Sequence, residues 1–233
     1  MLEVDDCFEF ADRRVAAAFR AEARRALFAS GERAGIPQAV REYHRRFVKV
    51  AGSELDTRWG GVRDAPYAEV ASIAEHALEL RDADPASAAR WALAAADRCL
   101  DRGLDGAARR VLEPAFEALR RHRTPGVTVQ LRFRLARSLV RAMLGEGGEG
   151  ELLDRAIAEG DRLVAESIDD AHSTERADWE LLAAEALYRN RRFEEVERRA
   201  IAVSKCAGAS HGSTLRAAFL RAASMPMTDF AAR

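Results

Sequence analysis

Lysine is almost missing from this chain: only Lys49 and Lys205 occur, so nearly all of the positive charge is arginine. A GC-rich genome produces that bias without any selection for planar hydrogen bonding. Aromatic residues make up only 7% and β-branched runs are nearly absent, Val127-Thr128-Val129 being the closest approach to one. Strand-rich folds are thereby excluded, and the abundance of alanine and leucine points to an all-α protein. Cys7, Cys99 and Cys206 are odd in number, widely spaced and form no C-x-x-C pair, which fits buried thiols in a reducing compartment rather than a disulfide framework. No apolar run reaches the roughly 20 residues a spanning helix needs, and the acidic start Met1-Leu-Glu-Val-Asp-Asp6 lacks a signal peptide's basic region, so the expected address is the cytoplasm. A formal charge of -1 with 32% charged residues leaves no bulk basic excess to coat nucleic acid or anionic lipid.

What is present is helical periodicity, punctuated every fifteen to twenty residues. The pattern predicts about ten helices over the 233 residues. The first, near 11–30, carries Val15, Phe19 and Leu27 and ends by Gly31; the second follows Pro37, with Val40, Tyr43, Phe47 and Val50 as its apolar stripe. Gly52 to Pro66, with Trp59-Gly-Gly61, reads as a loop and sets a domain boundary, 1–60 before it and 61–233 after it. Short loops then force antiparallel pairs at 66–81, 85–102 with Asp84 as cap and Pro85 at the start, 105–122 and 127–144. Gly145-Glu-Gly-Gly-Glu-Gly150 reads as a flexible connection, followed by helices at 150–167, 173–190, 192–207 and 213–224, with Ser173-Thr174 and Ser213-Thr214 as starts and Pro226 closing the last.

Two of these hairpins stay in step over 88 residues. Trp91 matches Trp179, Leu93 matches Leu181, Ala95-Ala96 matches Ala183-Ala184, Cys99 matches Leu187 and Leu100 matches Tyr188, before a turn into Ala107-Ala108 or Glu195-Val196. A middle copy holds Leu131, Phe133, Leu135-Ala136 and Leu139-Val140, giving a period near 44. Paired small residues let a neighbouring helix approach closely while the indole wedges beside the gap.

The segment Glu180-Leu-Leu-Ala-Ala-Glu-Ala-Leu-Tyr-Arg-Asn-Arg-Arg-Phe-Glu-Glu-Val196 resembles a tetratricopeptide repeat, and Leu104-Asp-Gly-Ala-Ala-Arg-Arg-Val-Leu112 does so more faintly. Arg191 stands where that family usually has glycine, Val196 replaces its alanine, and no proline ends a unit. The resemblance implies a TPR-like α-solenoid over residues 66–225. A second resemblance runs through Phe8-Glu-Phe-Ala-Asp12, Tyr43-His-Arg-Arg46, Ile73-Ala-Glu-His76 and Ala88-Ala-Arg-Trp91. In this order they resemble the junction in bacterial STAND-type signalling ATPases and large LuxR-family regulators, where the end of a winged-helix element runs into a helical repeat sensor. That implies a sensor module controlling an upstream nucleotide switch. Neither Lys49 nor Lys205 lies in a G-x-x-x-x-G-K-[ST] loop, so this chain carries no switch of that kind.

None of His44, His76, His122, His172 and His211 has a Glu three residues before it or a His four away, which excludes di-iron and H-E-x-x-H patterns; His76, beside the stripe of Ile73, reads as a packing histidine. Asp5-Asp-Cys-Phe-Glu9 matches a magnesium-diphosphate motif only superficially. Ser210-His211 reads as a helix cap, and Asp169-Asp170 as loop solvation or capping. Arg41, Arg45, Arg46 and Lys49 share a side of the second helix away from Tyr43 and Phe47; they could touch phosphates, and Ala34 to Tyr43 is similar to the turn into a TetR-type recognition helix with longer spacing.

The reading is therefore a non-catalytic sensor without a cofactor or metal. Transferred onto matching positions, the tetratricopeptide pattern puts Arg90, Asp97, Gln130, Arg137, Arg141, Glu185, Tyr188 and Arg189 in a groove for a protein or peptide segment, or an anionic small molecule, with Arg137 and Arg141 one turn apart as a clamp for the carboxylate or phosphate of an acidic peptide or small anion. Nucleic acid and membrane are not expected partners. The alternative is a one-component DNA-binding regulator using residues 24–50.

Overall fold

The computed structural model describes residues 2–4, 7–9, 38–121, 127–167 and 173–225. The protein divides into two compact units, Met1–Tyr43 and His44–Arg233. The expected helix at 11–30 lies outside the described residues, as do Asp169-Asp170, His122, His172 and Pro226. In the first unit β1 (Leu2–Val4) pairs antiparallel with β2 (Cys7–Glu9), Glu3 opposite Phe8. This hairpin is an addition to the expected helical content. Its three-residue strands are too short to show the alternation by which a strand is read from sequence.

The rest of the described structure is α-helical: α1 (Gln38–Trp59), α2 (Tyr67–Glu79), α3 (Pro85–Leu100), α4 (Asp105–Arg121), α5 (Val129–Glu146), α6 (Glu151–Ser167), α7 (Ser173–Arg189), α8 (Phe193–Lys205) and α9 (His211–Ser224). Local signals explain the ends. Asp84 accepts a hydrogen bond from the Ser87 amide at 3.0 Å, with Pro85 in the first turn. Thr128 accepts from the Leu131 amide at 3.2 Å. Two expectations are corrected. The last helix starts at His211 rather than at Ser213-Thr214, because Ser210 is its cap and accepts from the Ser213 amide at 3.0 Å. And α1 continues through Gly52 to Trp59, so the loop begins only at Gly60.

The buried stripe of α1 is also one position away from the expected one. Tyr43 and Val50 are about half exposed, while His44 and Leu55 are buried, with Val48 and Ala51 between them half-buried. The inward line thus runs 44, 48, 51, 55, a helical spacing in which the leading place belongs to a histidine instead of an apolar residue. Phe47, Val48, Ala51 and Leu55 pack with Val70, Ile73, Ala74 and Trp91.

From α3 onward the chain repeats. The helices α3, α5 and α7 begin at residues 85, 129 and 173, two steps of 44. Each ends in the same closing turn: the amides of Leu104, Gly148 and Arg192 donate to the carbonyls of Cys99, Met143 and Leu187 at 2.9, 2.7 and 3.0 Å. The residue before each of these amides, Gly103, Gly147 and Arg191, is left-handed, with φ of 67, 70 and 57°. This is the six-to-one closure that ends a helix, and it favours glycine. The glycine-rich 145–150 stretch is therefore not a flexible connection but one of three equivalent caps. Arg191 is the only described non-glycine residue with positive φ, at the very position where the tetratricopeptide family has glycine. Arg191→Gly should raise thermal stability by about 0.5–1 kcal/mol, the relief of left-handed strain less the added freedom of the unfolded chain. Calorimetric melting checks it, with Gly103→Arg expected to lower stability.

Packing follows the same repeat. Consecutive helices from α2 to α9 contact each other, and in the series α3, α5, α7, α9 each helix but the last also touches the one after it. Ala95, Ala96, Ala183 and Ala184 are completely buried, as are Leu139 and Val140 in the middle copy. Trp179 is fully buried and Trp91 half-buried. The wedge role is real, but the gap each indole fills is made by glycine on a preceding helix. Gly52 of α1 lies under Trp91, and Gly160 of α6 lies under Trp179.

Candidate partner-binding face

The histidines of two motif segments meet in the core. Nδ1 of His44 and Nδ1 of His76 are 3.0 Å apart, both rings are buried, and Phe47 stacks on His76 with centroids 3.9 Å apart. One ring must donate and the other accept across that contact. His76 thus packs between helices, as its position beside Ile73 predicts. Ser210 likewise works as a cap, its hydroxyl committed to the Ser213 amide rather than to His211. Among the described residues, no three His, Cys, Asp or Glu side chains gather as a metal cluster, and no helix is long and apolar enough to cross a membrane.

A second polar network lies partly buried among α6, α7 and α8. The indole N–H of Trp179 donates to Oδ1 of Asp161 at 2.9 Å, and Arg199 bridges Asp161 at 2.7 Å and Glu180 at 2.8 Å. These contacts satisfy buried polar atoms and tie α6, α7 and α8 together.

The eight groove residues fall on three helices of the alternating series. On α3 lie Arg90, exposed, and Asp97; on α5 lie Gln130, Arg137 and Arg141; on α7 lie Glu185, Tyr188 and Arg189. Their charges are not free-standing, because each helix reaches to the next. Asp97 of α3 pairs with Arg134 of α5 at 3.4 Å, Arg137 of α5 with Asp178 of α7 at 3.9 Å, and Glu185 of α7 with Arg216 of α9 at 2.5 Å. Arg189 donates to the carbonyl of Leu144 at 2.5 Å, and the Tyr188 ring packs on Phe193. The clamp drawn between Arg137 and Arg141 is thus partly engaged: Arg137 faces Asp178, while Arg141 acts on Asp97 through space.

Burial raises the carboxyl pKa of Asp97, with the positive charges of Arg134 and Arg141 pulling against it. Burial does the same to Glu185, opposed by Arg216 and Arg189. The Glu185 carboxylate is therefore poorly hydrated, while that of Asp97 stays about half exposed, and both lie against neighbouring arginines.

Arg134, Asp178 and Arg216 are not among the positions that the tetratricopeptide pattern marks. The signal for the first two was available, since 90, 134 and 178 are spaced by 44, as are 97, 141 and 185. Two equivalent positions per unit thus carry the charged face. Arg216 has no such signal, because α9 starts at 211 rather than at 217, the next step from 173.

A cleft of about 480 Å³ opens elsewhere, between the end of α4, the start of α5 and α6. Its arginines are held by the protein itself. Arg162 grips Glu159 at 2.6 Å and also Glu166, Arg120 lies 3.2 Å from Glu117, and Arg132 donates to the Leu119 carbonyl at 2.9 Å. Set against known proteins, the chain matches no family model, no curated protein and no solved structure.

Proposed function

We propose that this chain is a non-catalytic sensor: tetratricopeptide-like hairpins stacked as an α-solenoid, offering the face of α3, α5 and α7 to a protein or peptide partner, or to an anionic small molecule. The observation that carries the reading is the 44-residue recurrence of helix starts, closing turns and charged surface positions. Repeating units of this kind place equivalent side chains side by side along one surface, which is how such arrays hold extended partners. Membership of a STAND-type or large LuxR-family regulator, as the sensor end of a bacterial signalling or transcription switch, is the natural setting. It is supported by His44 and His76, from two of the four resembling segments, meeting at 3.0 Å. A cytoplasmic address follows from the same setting.

The test is photo-crosslinking in the native cells, with the reactive residue placed at Arg90, Gln130 or Arg141, and at Arg110 or Glu194 on the second helices. All five positions are exposed. Adducts should form from the first three and not from the last two. Adducts spread evenly, or confined to Arg110 and Glu194, contradict the reading. The second reading, a one-component DNA-binding regulator, is favoured by the exposure of Arg41, Arg45, Arg46 and Lys49 on α1. It requires duplex-DNA affinity that falls steeply with salt.

A further inference from the structure

The middle helix of the charged face departs most from the balanced charge of the whole chain. Arg134, Arg137 and Arg141 sit at i, i+3 and i+7 on α5, a single stripe of guanidiniums spanning about 10 Å of helix rise. The carboxylates that answer them come from the flanking helices, Asp97 from α3 and Asp178 from α7. Both contacts are long, and their side chains are 42–57% exposed. Ion pairs of this kind hold weakly and exchange with solvent and with competing acids. Each guanidinium has five N–H donors, so one distant carboxylate leaves most of them unsatisfied by protein.

We infer that Asp97 and Asp178 are stand-ins for an acidic segment of a partner polypeptide, which displaces them from Arg134, Arg137 and Arg141 when it docks. This rests on the reading of α3, α5 and α7 as the partner face, and it adds the partner's chemistry and the exchange that admits it. A carboxylate-bearing peptide fits better than a nucleic acid. The arginines are interleaved with Asp97, Asp178 and Glu185, so a nucleic acid, which carries a negative charge at every nucleotide, cannot avoid those carboxylates. A peptide can set its acids about 10 Å apart, three residues in extended chain, and leave neutral residues against the resident aspartates.

The exchange has a signature that simple attraction lacks: removing the resident acids strengthens binding. The probe is a fluorescein-labelled peptide, Glu-Gly-Gly-Glu-Gly-Gly-Glu, titrated by anisotropy at low ionic strength into the full 233-residue chain. The Asp97→Asn, Asp178→Asn double variant should bind it about threefold more tightly, the scale of two exposed ion pairs. Arg134→Gln, Arg137→Gln, Arg141→Gln should lose at least about tenfold. Glu149→Gln, Glu194→Gln removes the same charge at exposed positions away from the face and should change nothing. No binding of the peptide, equal tightening by the remote pair, or an octauridylate RNA bound more tightly than the peptide through the same arginines would each overturn the inference. Should it fail while crosslinks still map to Arg90, Gln130 and Arg141, the partner face stands and only its acidic preference is lost.

Discussion

Trp179→Ala will cost about 3–5 kcal/mol of stability, the range for deleting a fully buried large aromatic side chain. The indole is completely buried, meets Phe133 edge-on with centroids 5.6 Å apart, and gives its N–H to Asp161. Its removal leaves a cavity among α5, α6 and α7, and withdraws one donor from the carboxylate that also holds Arg199. Trp179→Phe separates the two contributions, since it keeps most of the volume and loses the hydrogen bond; it should cost less than half as much. Urea denaturation of the three proteins decides the matter, and an alanine variant within about 1 kcal/mol of the parent contradicts the packing described.

Gly160→Ala will have the next largest effect, and its sign depends on Trp179. A Cβ at Gly160 would sit 2.2 Å from Cζ2 of the indole and 2.3 Å from Cη2, far inside contact distance. The indole is enclosed and cannot step aside, so the helix or the ring must shift, at about 1–3 kcal/mol for overpacking of this kind. In an exposed helix the same substitution would gain about 1 kcal/mol from propensity. Gly160→Ala should therefore destabilise the parent and stabilise the Trp179→Ala variant, where the space has been vacated. A double-mutant cycle reads that reversal directly, and additivity of the two changes would refute the contact.

These two residues also show what the sequence makes legible. The tryptophans and alanine pairs announce themselves by type and spacing, and the helix starts at 85 and 173 follow from Asp84-Pro85 and Ser173. Gly160 does not, because a lone glycine within a helical pattern looks like a weakness until its neighbour from another helix is known. The same ambiguity hid the closing turn at Gly147: three glycines within 145–148 have the composition of a linker, and only a left-handed φ distinguishes a cap from one. In α1 the buried stripe lies one position from where residue type alone puts it, because His44, polar by type, occupies the buried slot against His76.

The proposed partner face is half readable for a related reason. Repeat register places Arg90, Asp97, Arg141 and Glu185 on the alternating helices, and Arg137 stands on α5 where the other copies have Leu93 and Leu181. Their ionic partners belong to the next unit, as with Asp97 and Arg134, 37 residues apart. Separation of that size leaves no local trace, so a residue such as Arg137 looks available in sequence and is engaged in the fold.

The stack itself can be measured. Nitroxide labels placed pairwise at positions 90, 134 and 178, one on each of α3, α5 and α7, report by pulsed dipolar spectroscopy how those helices follow one another. Regular stacking predicts equal short steps for 90–134 and 134–178, each near the 10 Å spacing of neighbouring helices, and a separation roughly twice as long for 90–178. A 90–178 distance no longer than either step would mean that the helices close into a bundle, and the continuous face that the proposed function requires would not exist.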